Sequence, residues 1–216
     1  MKLFLTSAGL RNEKIVEAFN SLVGLPNNKI KIAFIPTASN VEEGDKGWLI
    51  DDYSNLKKQN YESIDIVDIS AVSKEIWKPR LELANVLFLG GGNTFHLMHW
   101  IKKSGLENLF PELLKTRVYA GISAGSCIAG PTIYNSVQNL FGEKYDLKID
   151  KGLGLVDFQF IPHLNSEYFP KIREQYLEKA AKDLTEPVYA VDDNTAIVVN
   201  ENKLEVVSKG KWRKFN

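Results

Sequence analysis

The chain has 216 residues, 44% of them hydrophobic and 25% charged, and its 27 Lys plus Arg equal its 27 Asp plus Glu. This charge balance argues against a nucleic-acid or membrane partner and leaves self-association, such as a homodimer, open. The single cysteine, Cys127, excludes a disulfide framework, argues against a Cys-based zinc site, and suits a reducing compartment.

The length supports one sizeable core, so a single domain over residues 1–216 is expected. The opening segment is too short and too weakly apolar for a signal peptide and reads as a first strand, Leu3–Thr6. No apolar run approaches the length of a membrane span, and a cytoplasmic location is expected. Ile15, Phe19 and Leu22 recur at helical spacing before a stop at Gly24. A strand follows over Ile32–Pro36, and Trp48, Tyr53 and Leu56 mark a second helix. Strands are read at Ile64–Ile69 and Val86–Leu89. A third helix carries Phe95, Leu97, Met98, Trp100 and Ile101, capped by Asn93 or Thr94 and ended by Gly105. Strands at Val118–Gly121 and Phe158–Ile161 precede a late helix through Phe169, Ile172, Tyr176 and Ala180. Val188–Val191 and Ala196–Val199 complete the apolar runs, and the tail from Lys203 to Trp212 reads as an antiparallel edge. Several runs are nearly continuous in Val, Ile, Leu and Phe, as strands buried on both faces are. The alternation predicts an α/β fold: a doubly wound, mostly parallel sheet with helices on both faces.

Chemistry concentrates where these strands end. Val118–Gly121 runs into Gly121-Ile-Ser-Ala-Gly125, a Gly-x-Ser-x-Gly pattern in strand-turn-helix context. A nucleophile on so sharp a turn needs small neighbours, and the next helix aims N–H groups at developing negative charge. Ser123 is therefore the candidate nucleophile, the competing reading being a tight turn that only lets helix pack on sheet. Gly90-Gly-Gly-Asn-Thr94 follows another buried strand. Its bare N–H groups can bind an oxyanion, with Gly92 as one donor and Ala124 as the other. The loop fits neither dinucleotide nor P-loop phosphate patterns. Of three histidines, His96 and His99 share a helix without a carboxylate motif, so no metal is expected. His163 follows a strand end and is the candidate general base.

Together, residues 90–95, Gly121–Gly125, Pro131-Thr-Ile133 and Ile161-Pro-His163 resemble the dipeptidase E and cyanophycinase family of serine peptidases. Thr6-Ser7, Phe34-Ile-Pro-Thr-Ala38 and Asp192–Ile197 extend the resemblance over essentially the whole chain. The family's fold is that of class I glutamine amidotransferases, whose elbow residue is usually Cys. Ser123 stands there in this chain, which disfavours amidotransferase chemistry. The resemblance implies a peptidase for short peptides with no cofactor, Ser123 as nucleophile, His163 as base, and Gly92 and Ala124 as oxyanion donors. Asp193 is the favoured acid behind His163, with Asp192 and the neutral Gln138 as alternatives. Asn93 and Arg173 are expected to contact substrate, Arg173 as the cation for an acidic residue. An esterase on the same site, or a non-catalytic ligand-binding member, are the rival readings.

Overall fold

The computed structural model describes residues 1–216 except 138, 139, 144, 146–148, 183 and 202. β1 (Lys2–Thr6) leads into α1 (Glu13–Val23), β2 (Lys31–Ile35), α2 (Gly47–Lys57), β3 (Ser63–Ile66), α3 (Lys74–Leu83), β4 (Val86–Leu89) and α4 (Thr94–Ser104). There follow α5 (Phe110–Leu113), β5 (Val118–Ile122), α6 (Ala124–Cys127), α7 (Tyr134–Val137), β6 (Gln159–Ile161) and α8 (Glu174–Ala181). Four strands close the chain: β7 (Val188–Val191), β8 (Thr195–Asn200), β9 (Lys203–Ser208) and β10 (Trp212–Phe215).

Seven strands form the main sheet in the order β3-β2-β4-β5-β1-β8-β9. The first five are parallel, and β8 and β9 add antiparallel at one side. Successive side chains point to opposite faces of a strand, and here each face meets its own apolar cluster. Leu3, Leu5, Leu87 and Leu89 enter one cluster, while Phe4, Val86 and Phe88 enter the other. Both faces are covered, so the central strands carry no polar alternation. The helix ends follow their local chemistry. Asn12 accepts from the Ile15 N–H to start α1, and Gly24 closes it in the left-handed region at φ 74°. No helix among the described residues is long and apolar enough to cross a membrane.

Four features differ from expectation. β6 and β7 are parallel to each other but belong with β10 to a separate three-stranded sheet. Helix α3, which has Pro79 inside it, has no counterpart among the predicted elements. Helix α8 begins only at Glu174, because Arg173 is extended (φ −129°, ψ 143°), so Phe169 and Ile172 precede it. On α2 the buried positions are Leu49, Asp52 and Leu56, while Trp48 is exposed.

Candidate active site

The carboxyl ends of three adjacent strands, β4, β5 and β1, converge on one cleft of about 670 Å³. In open α/β sheets this is the edge where ligands bind. The antiparallel strand β8 pairs Ala196 with Thr6, which brings the turn before β8 to the same edge.

Ser123 ends β5 at φ 47° and ψ −107°, a conformation that costs a non-glycine residue on the order of 1–3 kcal/mol. The surroundings hold it there. Its N–H donates to Thr6 O at 3.0 Å, and its carbonyl accepts from the Ser126 and Cys127 N–H groups at 2.9 Å each. The turn is so tight that a Cβ on Gly121 would lie 2.6 Å from the Gly125 backbone, and one on Gly125 would overlap Leu89 O. Both glycines of Gly-x-Ser-x-Gly are thus required by contact. Ser126 locks the turn to β1: its hydroxyl accepts from Thr6 N–H at 2.9 Å and donates to Thr6 O at 2.8 Å.

The glycine loop packs against this elbow, with Gly91 placed so that a Cβ would sit 3.4 Å from Ser123 Cβ. Gly92 adopts φ 124°, and a Cβ there would overlap Ala38 O. Gly90 N–H and Asn93 N–H are spent on Ile35 O and Ala38 O. The N–H groups of Gly92 and Ala124 donate to no acceptor among the described residues.

His163 follows β6, held at φ 63° by its own N–H donating to Ser7 Oγ at 2.8 Å. Its ring stacks on Phe169 at 4.7 Å and meets the edge of Phe141. His163 Nε2 lies 3.0 Å from Ser123 Oγ, and Nδ1 lies 2.7 Å from Asp193 Oδ1. A carboxylate only accepts, so Nδ1 carries the proton toward Asp193 and Nε2 is free to accept from the serine hydroxyl. Ser7 Oγ also donates to Asp193 Oδ1 at 2.6 Å, and Arg11 reaches Oδ2 at 3.6 Å. Burial works against a charge on Asp193. The hydrogen bonds and charges of His163, with Ser7 and Arg11, outweigh it and hold the carboxyl below its ordinary range.

The neighbouring acids separate cleanly. Asp192 accepts from Asn194 N–H at 3.0 Å and Thr195 Oγ1 at 2.7 Å, so it braces its own turn and does not face His163. Gln138 lies outside the described residues. Two expected substrate contacts sit elsewhere. Asn93 is buried, and its side chain accepts from His96 N–H as the cap of α4. Arg173 spends Nη1 on the carbonyls of Ser166, Phe169 and Ile172 at 2.9–3.0 Å. It ties down the loop behind His163, and the cation that lines the cleft among the described residues is Arg11, which carries no motif. Cys127 is buried, takes a contact from Asn135 Nδ2 at 3.4 Å, and has its thiol pushed up to about 12 by burial. His96 contacts Tyr145 OH at 3.1 Å, and no group of three or more metal-binding side chains occurs among the described residues.

A strained serine at a strand end, a histidine on it and a carboxylate behind that histidine define the acyl-transfer class of hydrolase site. The model of peptidase family S51 matches residues 3–207. An uncharacterized peptidase of Pasteurella multocida is 30% identical over 208 residues, covering 95% of this chain and 96% of its own. A peptidase E of Nostoc is 28% identical over 187 residues, covering 82% and 72% of the two chains. A Listeria monocytogenes crystal structure, of a protein provisionally classed as peptidase E, superposes with a TM-score of 0.80 at 26% identity, covering 97% and 98%. The chain belongs to peptidase family S51 and is a serine-type peptidase.

Proposed function

We propose that the enzyme hydrolyses short peptides through an acyl-enzyme formed on Ser123. The observation that carries this reading is the unbroken relay from Ser123 Oγ to His163 Nε2 at 3.0 Å and from Nδ1 to Asp193 at 2.7 Å. His163 takes the serine proton as Oγ attacks the peptide carbonyl, and returns it to the leaving amine. Asp193 keeps the imidazole in the required tautomer and stabilises its charged form. The N–H groups of Gly92 and Ala124, having no protein acceptor among the described residues, are the donors for the oxyanion. Water then enters, activated by the same histidine, and releases the acyl group. The chemistry needs no metal or organic cofactor. A cleft of about 670 Å³ suits a peptide of a few residues better than a folded protein.

The test is hydrolysis of a dipeptide and tripeptide panel beside p-nitrophenyl esters. Peptide turnover that falls at least about 10⁴-fold in Ser123→Ala supports the reading. Turnover of esters alone would make the enzyme an esterase, and equal rates in the variant would refute Ser123.

A further inference from the structure

Asp52 is the unexplained group of the cleft. It lies on α2 three residues after Leu49 and four before Leu56, at a position of the helix's apolar stripe. It is 8% exposed, yet makes no hydrogen bond or ion pair with any described residue. Its Oδ1 and Ile122 Cδ1 crowd the same point, 3.2 and 3.1 Å from where a Cβ on Gly9 would stand. The carboxyl therefore sits beside the residue that precedes Ser123, and it lines the cleft that Ser123 lines. A buried carboxyl without a partner is expensive to keep, and such groups gather at functional sites.

The rest of the cleft has the same sign. Glu42, Asp45 and Asp51 line it as well, and the cation lining it among the described residues, Arg11, is engaged with Asp193. An acidic substrate side chain would meet repulsion from these carboxylates, and among the described lining residues the cation already faces Asp193. An ammonium group would meet a field that attracts it from solution and a carboxyl that lacks a donor.

We propose that the cleft selects peptides for an ammonium group, and that Asp52 seats the ammonium of the residue whose carbonyl Ser123 attacks. This rests on the reading of Ser123 as the nucleophile. The ammonium can be the peptide's own amino terminus or a lysine side chain. The chemistry at Asp52 is the same, a charge-assisted hydrogen bond in a mostly buried position. Burial, opposed by Arg11 and reinforced by Asp51, pushes the carboxyl up to about 7. An incoming cation favours its charged form, so binding near neutral pH releases a fraction of a proton.

Calorimetric titration of the Ser123→Ala protein separates binding from turnover. The probes are Lys-Ala, norleucyl-Ala, N-acetyl-Lys-Ala, N-acetyl-norleucyl-Ala and Asp-Ala. At least one peptide with a single ammonium group, norleucyl-Ala or N-acetyl-Lys-Ala, is expected to bind about 10-fold or more tighter than N-acetyl-norleucyl-Ala, which has none. The one that does identifies the source of the ammonium. Asp-Ala is expected to bind more weakly than Lys-Ala. Adding Asp52→Asn is expected to abolish the preference, with a thermal melt verifying the fold, and Asp52→Glu to restore part of it. Equal affinity for peptides with and without an ammonium group overturns the proposal, as does a preference that survives Asp52→Asn. The nucleophile is checked apart from this, by peptide turnover in the wild type. Charge-selective binding without any Ser123-dependent turnover would remove the peptidase mechanism, and with it the role given to Asp52 in it.

Discussion

Asp193 and Asp52 line the same cleft and both feel the charge of Arg11, yet one is held ionised and the other is pushed toward neutral. Burial opposes the charge on both. What differs is the donors. Asp193 receives hydrogen bonds from His163 and Ser7 and the charge of Arg11 at 3.6 Å, whereas Asp52 receives no hydrogen bond from the described residues. A carboxylate that must orient a histidine in every turnover has its partners built in. A carboxylate meant for a ligand has its partner left out, and the protein bears the cost until substrate arrives.

The largest effect is expected on the Asp193 side. Asp193→Asn presents an amide that cannot hold the same tautomer or balance an imidazolium, and kcat is expected to fall about 10⁴-fold, chiefly in kcat rather than KM in steady-state assays. On the Asp52 side the loss is smaller and falls on binding. With Asp52→Asn, KM for peptides that carry the ammonium group is expected to rise about 10- to 100-fold, so the ratio of kcat/KM between peptides with and without it collapses.

Stability should move in opposite directions for the two groups. Asp52 has a folded pKa of about 7, against an ordinary aspartate value of 3.8. Between those values the folded state keeps a proton that the unfolded state has released. Raising the pH through this window therefore lowers stability, and the penalty is complete above about pH 7. Asp52→Asn is expected to match the wild type below about pH 4 and to exceed it at pH 8, by on the order of 2–4 kcal/mol in urea melts. Asp193 has a lowered folded pKa. Its contribution is present above the unfolded value and is lost as pH falls through the folded one, so Asp193→Asn is expected to destabilise at neutral pH. The smallest effect belongs to Arg11→Gln. Arg11 is half exposed and its charge is screened. Activity is expected to fall less than about 10-fold, with the acid limb of the pH–rate profile moving to higher pH.

The two sides of the cleft also differ in how readable they are. Gly121, Ser123 and Gly125 announce the elbow because contacts within a few residues dictate them. The central strands are equally plain, since burial on both faces leaves them apolar throughout. A buried run does not say which sheet it joins, so the separate sheet of β6, β7 and β10 is invisible in the sequence. Asp192 and Asp193 are adjacent, and only the turn geometry sends one into its own backbone and the other to His163. Asn93 and Arg173 look like polar groups awaiting a ligand, but local carbonyls and N–H groups claim them. Asp52 leaves one trace, an acid at core spacing between Leu49 and Leu56, which a reading of this helix from Trp48, Tyr53 and Leu56 passes over.

The relay through Ser123 is tested most directly by labelling with a fluorophosphonate and mapping the adduct by mass spectrometry. One adduct per chain is predicted, on Ser123, absent in Ser123→Ala and formed far more slowly in His163→Ala. An unlabelled Ser123, or labelling that proceeds at the same rate without His163, would contradict the account.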